Sequence, residues 1–220
     1  MHRLLDNTIN FDRTNHSKPG HYHRFFKRTT DIIVVFIMAP IAVIIIIPLA
    51  IITSFDGSKP FYWQKRVGKN GRIFHMLKLR SMVPNADSLL NKHLQINPAA
   101  KREWDDTQKL RNDPRITRLG RFIRKTSIDE LPQIWNVLKG EMSMVGPRPI
   151  MQSQRRIYPG SEYYKMRPGI TGFWQVSDRN ECSFSKRAHF DADYLNRLSF
   201  VTDLLVMLQT VKVIIRATGV

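Results

Sequence analysis

The stretch Ile32-Ile33-Val34-Val35-Phe36-Ile37-Met38-Ala39-Pro40-Ile41-Ala42-Val43-Ile44-Ile45-Ile46-Ile47-Pro48-Leu49-Ala50-Ile51-Ile52 carries no charged residue. A helix needs about 20 such residues to reach through a hydrocarbon core, so the run predicts membrane insertion. It starts too late for a secretory leader, and no small-residue cleavage site follows it. Pro40 sits near its middle, where it removes a backbone hydrogen bond and crowds the preceding turn. Both flanks are basic, with Arg24, Lys27 and Arg28 before the run and Lys59, Lys65, Arg66, Lys69 and Arg72 after it. Basic flanks stay on the cytoplasmic side, which a hairpin-like re-entrant helix satisfies at both ends. A kinked single span, oriented by its stronger flank, is the alternative.

Outward from this run, residues 1–23 form a polar tail in which His16, His21 and His23 read as solvated side chains rather than metal ligands. The chain has 220 residues and a formal net charge of +17, so it seeks phosphate: nucleic acid, anionic lipid or a phosphorylated substrate. The lone Cys182 excludes a disulfide framework and a cysteine zinc cluster. At the far end, Phe200, Val201, Leu204, Leu205, Leu208, Val211 and Ile215 share one side of a helical wheel, and Thr202, Asp203, Gln209, Thr210 and Arg216 gather mostly opposite. Such a helix either lies in the membrane interface or packs its apolar side on a core.

Between these segments, Asn70-Gly71 flanked by alternating residues predicts a hairpin pairing Tyr62–Val67 with Arg72–Leu79. Asp87 to Gln108 is helical in composition, with a break near Asn97-Pro98. Short helices and Pro/Gly loops follow from Leu119 onward. There is no βαβ rhythm and no Gly-x-Gly-x-x-Gly, which counts against a dinucleotide-type glycosyltransferase fold.

The chemistry concentrates in Arg121-Phe122-Ile123-Arg124-Lys125-Thr126-Ser127-Ile128-Asp129-Glu130-Leu131-Pro132. Ser127-x-x-Glu130 matches a capping box, but Pro132 favours Asp129 as the cap, because proline is harmless within a first turn. A carboxylate at a helix N-terminus beside Arg121, Arg124 and Lys125 is held ionised. An ionised, positioned carboxylate can attack phosphorus. Glu130 can hold a hard divalent cation together with substrate phosphates, and Arg124 and Lys125 can neutralise phosphoryl oxygens. Taken alone, the stretch reads first as a helix cap. Gly146-Pro147-Arg148-Pro149 and Arg167-Pro168-Gly169-Ile170-Thr171-Gly172 present further arginines on rigid loops suited to anions.

Lys27-Arg28-x-x-Asp31, Gln64-x-Arg66-x-Gly68, Lys78-x-Arg80-Ser81-Met82 and Gly140-Glu141-Met142-Ser143-x-Val145 join these motifs, and the match they carry runs from Lys27 to the C-terminus, about nine-tenths of the chain. The chain resembles the small bacterial sugar transferases, the monotopic polyprenyl-phosphate hexose-1-phosphate transferases that start exopolysaccharide and glycan assembly. It is most similar to the galactose-1-phosphate transferases among them. The resemblance implies an α+β, mostly helical fold: a polar tail over 1–23, a re-entrant membrane helix over 24–54, and over 55–220 a compact cytoplasmic catalytic domain with a small β-hairpin and interfacial amphipathic helices. It implies that Asp129 takes a sugar-1-phosphate from a UDP-hexose, releasing UMP, and that Glu130 binds Mg2+. Undecaprenyl phosphate then accepts the sugar phosphate. Lys78, Arg124, Arg148 and Arg167 correspond to phosphate- and substrate-binding cations, and Asp191 to a further carboxylate of the site. Asp178 stands where the family usually has glycine. The expected location is the cytoplasmic face of the bacterial inner membrane, with membrane lipids as partners and no nucleic acid; the oligomeric state is left open, a homodimer being one option. The competing reading, a basic membrane adaptor without catalysis, leaves Asp129 and Glu130 unused.

Overall fold

The computed structural model describes residues 22, 26–55, 57–108, 110–177 and 184–215. Asp178, Cys182 and the tail histidines His16, His21 and His23 lie outside them. The apolar run becomes α1 (Lys27–Ser54), one continuous helix with Pro40 and Pro48 inside it. Its buried residues Lys27, Asp31, Val35 and Ala42 recur at helical spacing and mark the face that packs on the rest of the chain. The other faces stay bare, with Phe36 68% and Ile44 72% exposed. Its length and apolarity fit a membrane location.

Both ends of α1 are tied to the same body. At the start, Lys27 Nζ donates to Asp203 Oδ2 (2.7 Å) and to the Val145 carbonyl (3.0 Å). Asp31 accepts from the Ser143 hydroxyl and from the Met144 N–H (2.9 Å). At the other end Arg80 Nη2 donates to the Thr53 carbonyl at 2.6 Å.

The hairpin forms as expected. β1 (Phe61–Val67) pairs antiparallel with β2 (Ile73–Leu79), with Tyr62 opposite Lys78 and Gln64 opposite Met76. The turn is longer than a two-residue loop, with Asn70 and Gly71 both at positive φ and the Gly68 N–H closing on the Arg72 carbonyl at 2.7 Å. The helical stretch after it breaks where proline demands, into α2 (Ala86–Ile96) and α3 (Pro98–Thr107), with the Asn97 side chain capping α3. α4 (Arg118–Lys125) and α5 (Ile134–Leu138) flank a 3-10 segment over Ile128–Gln133.

A second sheet appears that the sequence did not announce: β3 (Ser143–Val145) pairs parallel with β4 (Gly169–Thr171). The two backbones crowd each other so closely that a Cβ at Gly169 would lie 2.1 Å from the Gly146 nitrogen. Glycine is therefore required there for packing. α6 (Phe173–Val176), α7 (Arg187–Asn196) and α8 (Phe200–Ile215) complete the fold. The main core joins Val35 and Ala42 of α1 to Phe74, Met76, Val137, Met144, Tyr194 and Val206.

α8 decides between the two readings of its apolar side. Phe200, Val201, Leu204, Leu205, Leu208 and Val211 are exposed, while Thr202, Asp203 and Val206 are buried. The polar side faces inward, where Asp203 accepts from Lys27, Tyr22 and Tyr194, and Thr210 pairs with Thr171 at 2.6 Å. Core packing of the apolar side is thereby excluded, and the exposed side fits the same membrane location as α1. Asp31 holds α1 in this arrangement at 1% exposure. Replacing it with alanine leaves buried donors and Lys27 short of a partner, so Asp31→Ala should cost about 3–5 kcal/mol, read as a fall in Tm of detergent-purified protein.

Candidate active site

Strand alternation brings the first cation inside. Phe74, Met76 and Lys78 share the buried face of β2, so an ammonium replaces the third apolar side chain. A buried lysine needs counter-charge, and Lys78 Nζ finds it in Asp129 Oδ2 (3.1 Å) and Glu130 Oε1 (3.0 Å). Burial pushes the Lys78 pKa down, but the two carboxylates outweigh it and hold it above the ordinary lysine value.

The carboxylates are aimed by Ser127, whose φ of +58° reverses the chain between α4 and the 3-10 segment. A left-handed non-glycine residue costs about 1–2 kcal/mol. The cap position is thus Ser127, with no side-chain cap bond, and Asp129 sits inside the first turn rather than at the cap. Sequence could not reveal this, since a left-handed serine has no compositional mark. Pro132 lies within the 3-10 segment as well.

Arg148 arrives from the loop after β3, held between Pro147 and Pro149. Its Nη2 lies 3.3 Å from Glu130 Oε1, and its guanidinium lies 5.5 Å from the Trp174 ring centre. Arg187 covers Trp174 more closely, at 4.2 Å, and Phe184 at 4.7 Å. Arg66 donates to Gln64 Oε1 (2.6 Å), and its buried Nε has no acceptor among the described residues. Burial and the neighbouring Arg148 push the Arg66 pKa down to about 10.

These groups line one cavity of about 710 Å³. Of the residues singled out in the sequence, the cavity brings together Lys78, Arg124, Asp129, Glu130 and Arg148. Arg167 lies outside its lining and donates to the Gly140 carbonyl at 2.9 Å. Asp191 also lies outside it, buried behind Arg187 and hydrogen-bonded by the Tyr158 hydroxyl. The sequence assigned no site role to Arg66, although a motif contains it, or to Gln133, Trp174, Gln175 and Arg187, and all five line the cavity. Alternation along Gln64-x-Arg66 signalled the first; nothing local marked Arg187. Among the described residues no three His, Cys, Asp or Glu side chains cluster as metal ligands. The two adjacent carboxylates on the cavity wall are oxygen donors of the kind that magnesium takes alongside water and substrate phosphates.

Burial raises the Asp191 pKa to about 7. Between the unfolded value near 4 and about 7, the folded chain holds the extra proton, so this group's contribution to stability declines as pH rises. Asp191→Asn cannot ionise and still accepts from Tyr158. Its Tm should therefore fall less than wild type from about pH 4 to about pH 7 in calorimetry.

A family model described as bacterial sugar transferase matches residues 22–217. The UDP-galactose-lipid carrier transferase of Erwinia amylovora is 44% identical over 100% of this chain and 46% of its own length. The undecaprenyl-phosphate galactose phosphotransferase of Salmonella typhimurium is 45% identical over 89% of this chain and 42% of its own. The exopolysaccharide production protein ExoY of Rhizobium meliloti is 39% identical over 88% of this chain and 87% of its own. The chain spans under half the length of the first two relatives and most of the third. With the acidic pair, its buried lysine and the Pro-framed arginine gathered in one cavity, the chain belongs to the bacterial sugar transferase family.

Proposed function

We propose that the chain transfers a hexose-1-phosphate, with galactose as the hexose, from a UDP-sugar to undecaprenyl phosphate, as the first membrane step of exopolysaccharide assembly. The observation that carries this reading is Lys78 buried against both Asp129 and Glu130, beside Arg148, in a cavity large enough for a nucleotide sugar. Among the described residues Lys78 is the one hydrogen-bond partner of the Asp129 carboxylate, on Oδ2. Oδ1 is thus available for attack.

In the first step Asp129 Oδ1 attacks the phosphorus that bears the sugar. The bond from that phosphorus to the bridging oxygen breaks, and UMP leaves with the electron pair. In the second step an oxygen of undecaprenyl phosphate attacks the same phosphorus. This frees the Asp129 carboxylate and yields the diphosphate-linked lipid sugar. Lys78, Arg148, Arg66 and Arg124 hold the phosphoryl oxygens as charge shifts between them. Glu130 would hold Mg2+ together with substrate phosphates; the ion supplies further neutralisation of phosphate charge. Two of the relatives carry galactose in their names, which favours that sugar here.

A re-entrant α1 with the site on the cytoplasmic face is part of this reading. It is supported by the ties from Lys27 and Asp31 at one end and Thr53 at the other to a single body. A straight span would carry those ends to opposite sides of the bilayer. The exposed apolar sides of α1 and α8 give that body a surface on which to meet a lipid phosphate.

With UDP-galactose, Mg2+ and undecaprenyl phosphate, purified protein should release UMP, and Asp129→Asn should reduce the rate by at least about a thousandfold. Undiminished release in that variant would remove Asp129 from the role of nucleophile. For topology, single cysteines at Thr8 and Ser58, in a Cys182→Ser background, should react with an impermeant maleimide only from the cytoplasmic side. Labelling from opposite sides would establish a span.

A further inference from the structure

Two cavity-lining atoms, a donor and an acceptor, stand out because they are buried and have no hydrogen-bond partner among the described residues: Arg66 Nε and Gln175 Oε1. The first is explained by phosphate binding. The second is not, because an amide oxygen accepts hydrogen bonds, and an ionised phosphate has none to give.

Gln175 sits in α6 at 5% exposure, immediately after Trp174. Its Nε2 donates to the Ile170 carbonyl at 3.0 Å. A carbonyl only accepts, so this contact fixes which end of the amide is nitrogen and leaves Oε1 as the free end. The backbone anchors the residue too, through the Gln175 N–H to the Gly172 carbonyl at 2.9 Å. Oε1 rests against Gly172, where an added Cβ would come within 3.2 Å of it. The acceptor is therefore buried, anchored and fixed in identity. Leaving such a group unsatisfied is unfavourable, and a ligand that satisfies it gains specificity.

The neighbours say which ligand. Trp174 carries Arg187 and Arg148 against its ring, and Arg148 reaches Glu130. A ligand with phosphates at these guanidinium groups lies next to Gln175 with whatever is attached to those phosphates. In a nucleotide sugar the attached neutral groups carry O–H donors on the hexose and on the ribose, and one N–H donor on uracil. In a polyprenyl phosphate they are hydrocarbon. Gln175 is suited to the first and indifferent to the second.

We infer that Gln175 is a specificity-determining residue, whose Oε1 accepts a hydrogen bond from a neutral O–H or N–H of the donor nucleotide sugar. The inference rests on the transferase reading above, and the test separates the two. Gln175→Met keeps the length of the side chain and removes both amide groups. The affinity of UDP-galactose, measured by calorimetry on the non-reacting Asp129→Asn protein with and without Gln175→Met, should weaken roughly three- to tenfold. With Asp129 intact, the KM for undecaprenyl phosphate should stay unchanged, while the KM for UDP-galactose rises by a similar factor.

UMP separates the hexose hydroxyls from the donors of the uridine part. If a uridine donor is read, UMP loses affinity in the variant as UDP-galactose does, and either N3-methyl-UMP, for the uracil N–H, or a 2′- or 3′-deoxy-UMP, for a ribose hydroxyl, binds both proteins alike. If a hexose hydroxyl is read, UMP affinity is unchanged, and one deoxy analogue of UDP-galactose binds wild type as weakly as UDP-galactose binds the variant. The analogue measurements on wild-type protein stand even if Gln175→Met folds poorly. Equal affinity of UDP-galactose for both proteins would overturn the inference, with a buried water then serving the amide. A proportional loss for donor and lipid acceptor would overturn it as well, as general disruption of the cavity. A wild-type protein that releases no UMP and binds no UDP-sugar would instead overturn the transferase reading itself.

Discussion

The buried contacts at the two ends of α1 set the position of everything the site uses. Lys27 and Asp31 grip β3 through Val145, Ser143 and Met144. The chain leaves β3 at Val145 and runs straight into Gly146, Pro147 and Arg148. At the other end Arg80 holds the Thr53 carbonyl, and Arg80 follows Lys78 by two residues beyond β2. Lys78 and Arg148, which both contact Glu130, are therefore suspended between the ends of the apolar helix. A shift of α1 relative to the body would reach the site within a few residues of covalent chain. Burying Lys27 against Asp31 and Asp203 costs desolvation, and a hydrophobic trio could fold as tightly. What charge adds is a unique docking, because an ammonium fits only where both carboxylates converge.

The same economy of buried charge governs the site. Asp129 and Glu130 are adjacent in sequence, and two carboxylates brought into one cavity repel each other. Lys78 resolves that by contacting both, and its raised pKa follows from the same geometry. Arg66 is relieved less: burial and Arg148 lower its pKa more than Glu130 raises it. Its buried Nε has no hydrogen-bond partner among the described residues. A phosphate entering the cavity can supply the acceptor that this group lacks.

Much of the fold was legible because its determinants are local. The hairpin followed from alternation and an Asn-Gly turn, and the break between α2 and α3 from Asn97-Pro98. The run from Ile32 to Ile52 could scarcely be anything but an apolar helix. What stayed hidden depends on contacts across the chain. β3 and β4 are three residues each and pair in parallel across a long connection, so no periodicity marks them. The cap at Ser127 depends on a left-handed serine, and Pro132 argued for the wrong residue. The motifs grouped Arg167 and Asp191 with the site, yet one binds a turn carbonyl and the other lies behind Arg187. Arg187 itself had no local signal, since its importance comes from lying over Trp174.

α8 shows how charge and burial together can invert the usual reading of an amphipathic helix. In water, the side bearing Phe200, Leu204, Leu208 and Val211 would be expected to pack inward. It faces out instead, because Asp203 is claimed by Lys27, Tyr22 and Tyr194, and Thr210 by Thr171. Turning the helix over would bury the apolar side at the expense of several buried hydrogen bonds and an ion pair. In a membrane interface that exchange offers nothing, since lipid covers the apolar side equally well. The polar contacts that orient α8 thus join it to α1 through Lys27, and the two helices turn their apolar sides outward around a shared ionic centre. The apolar helix α1 and the amphipathic helix α8 are thus locked by the same lysine.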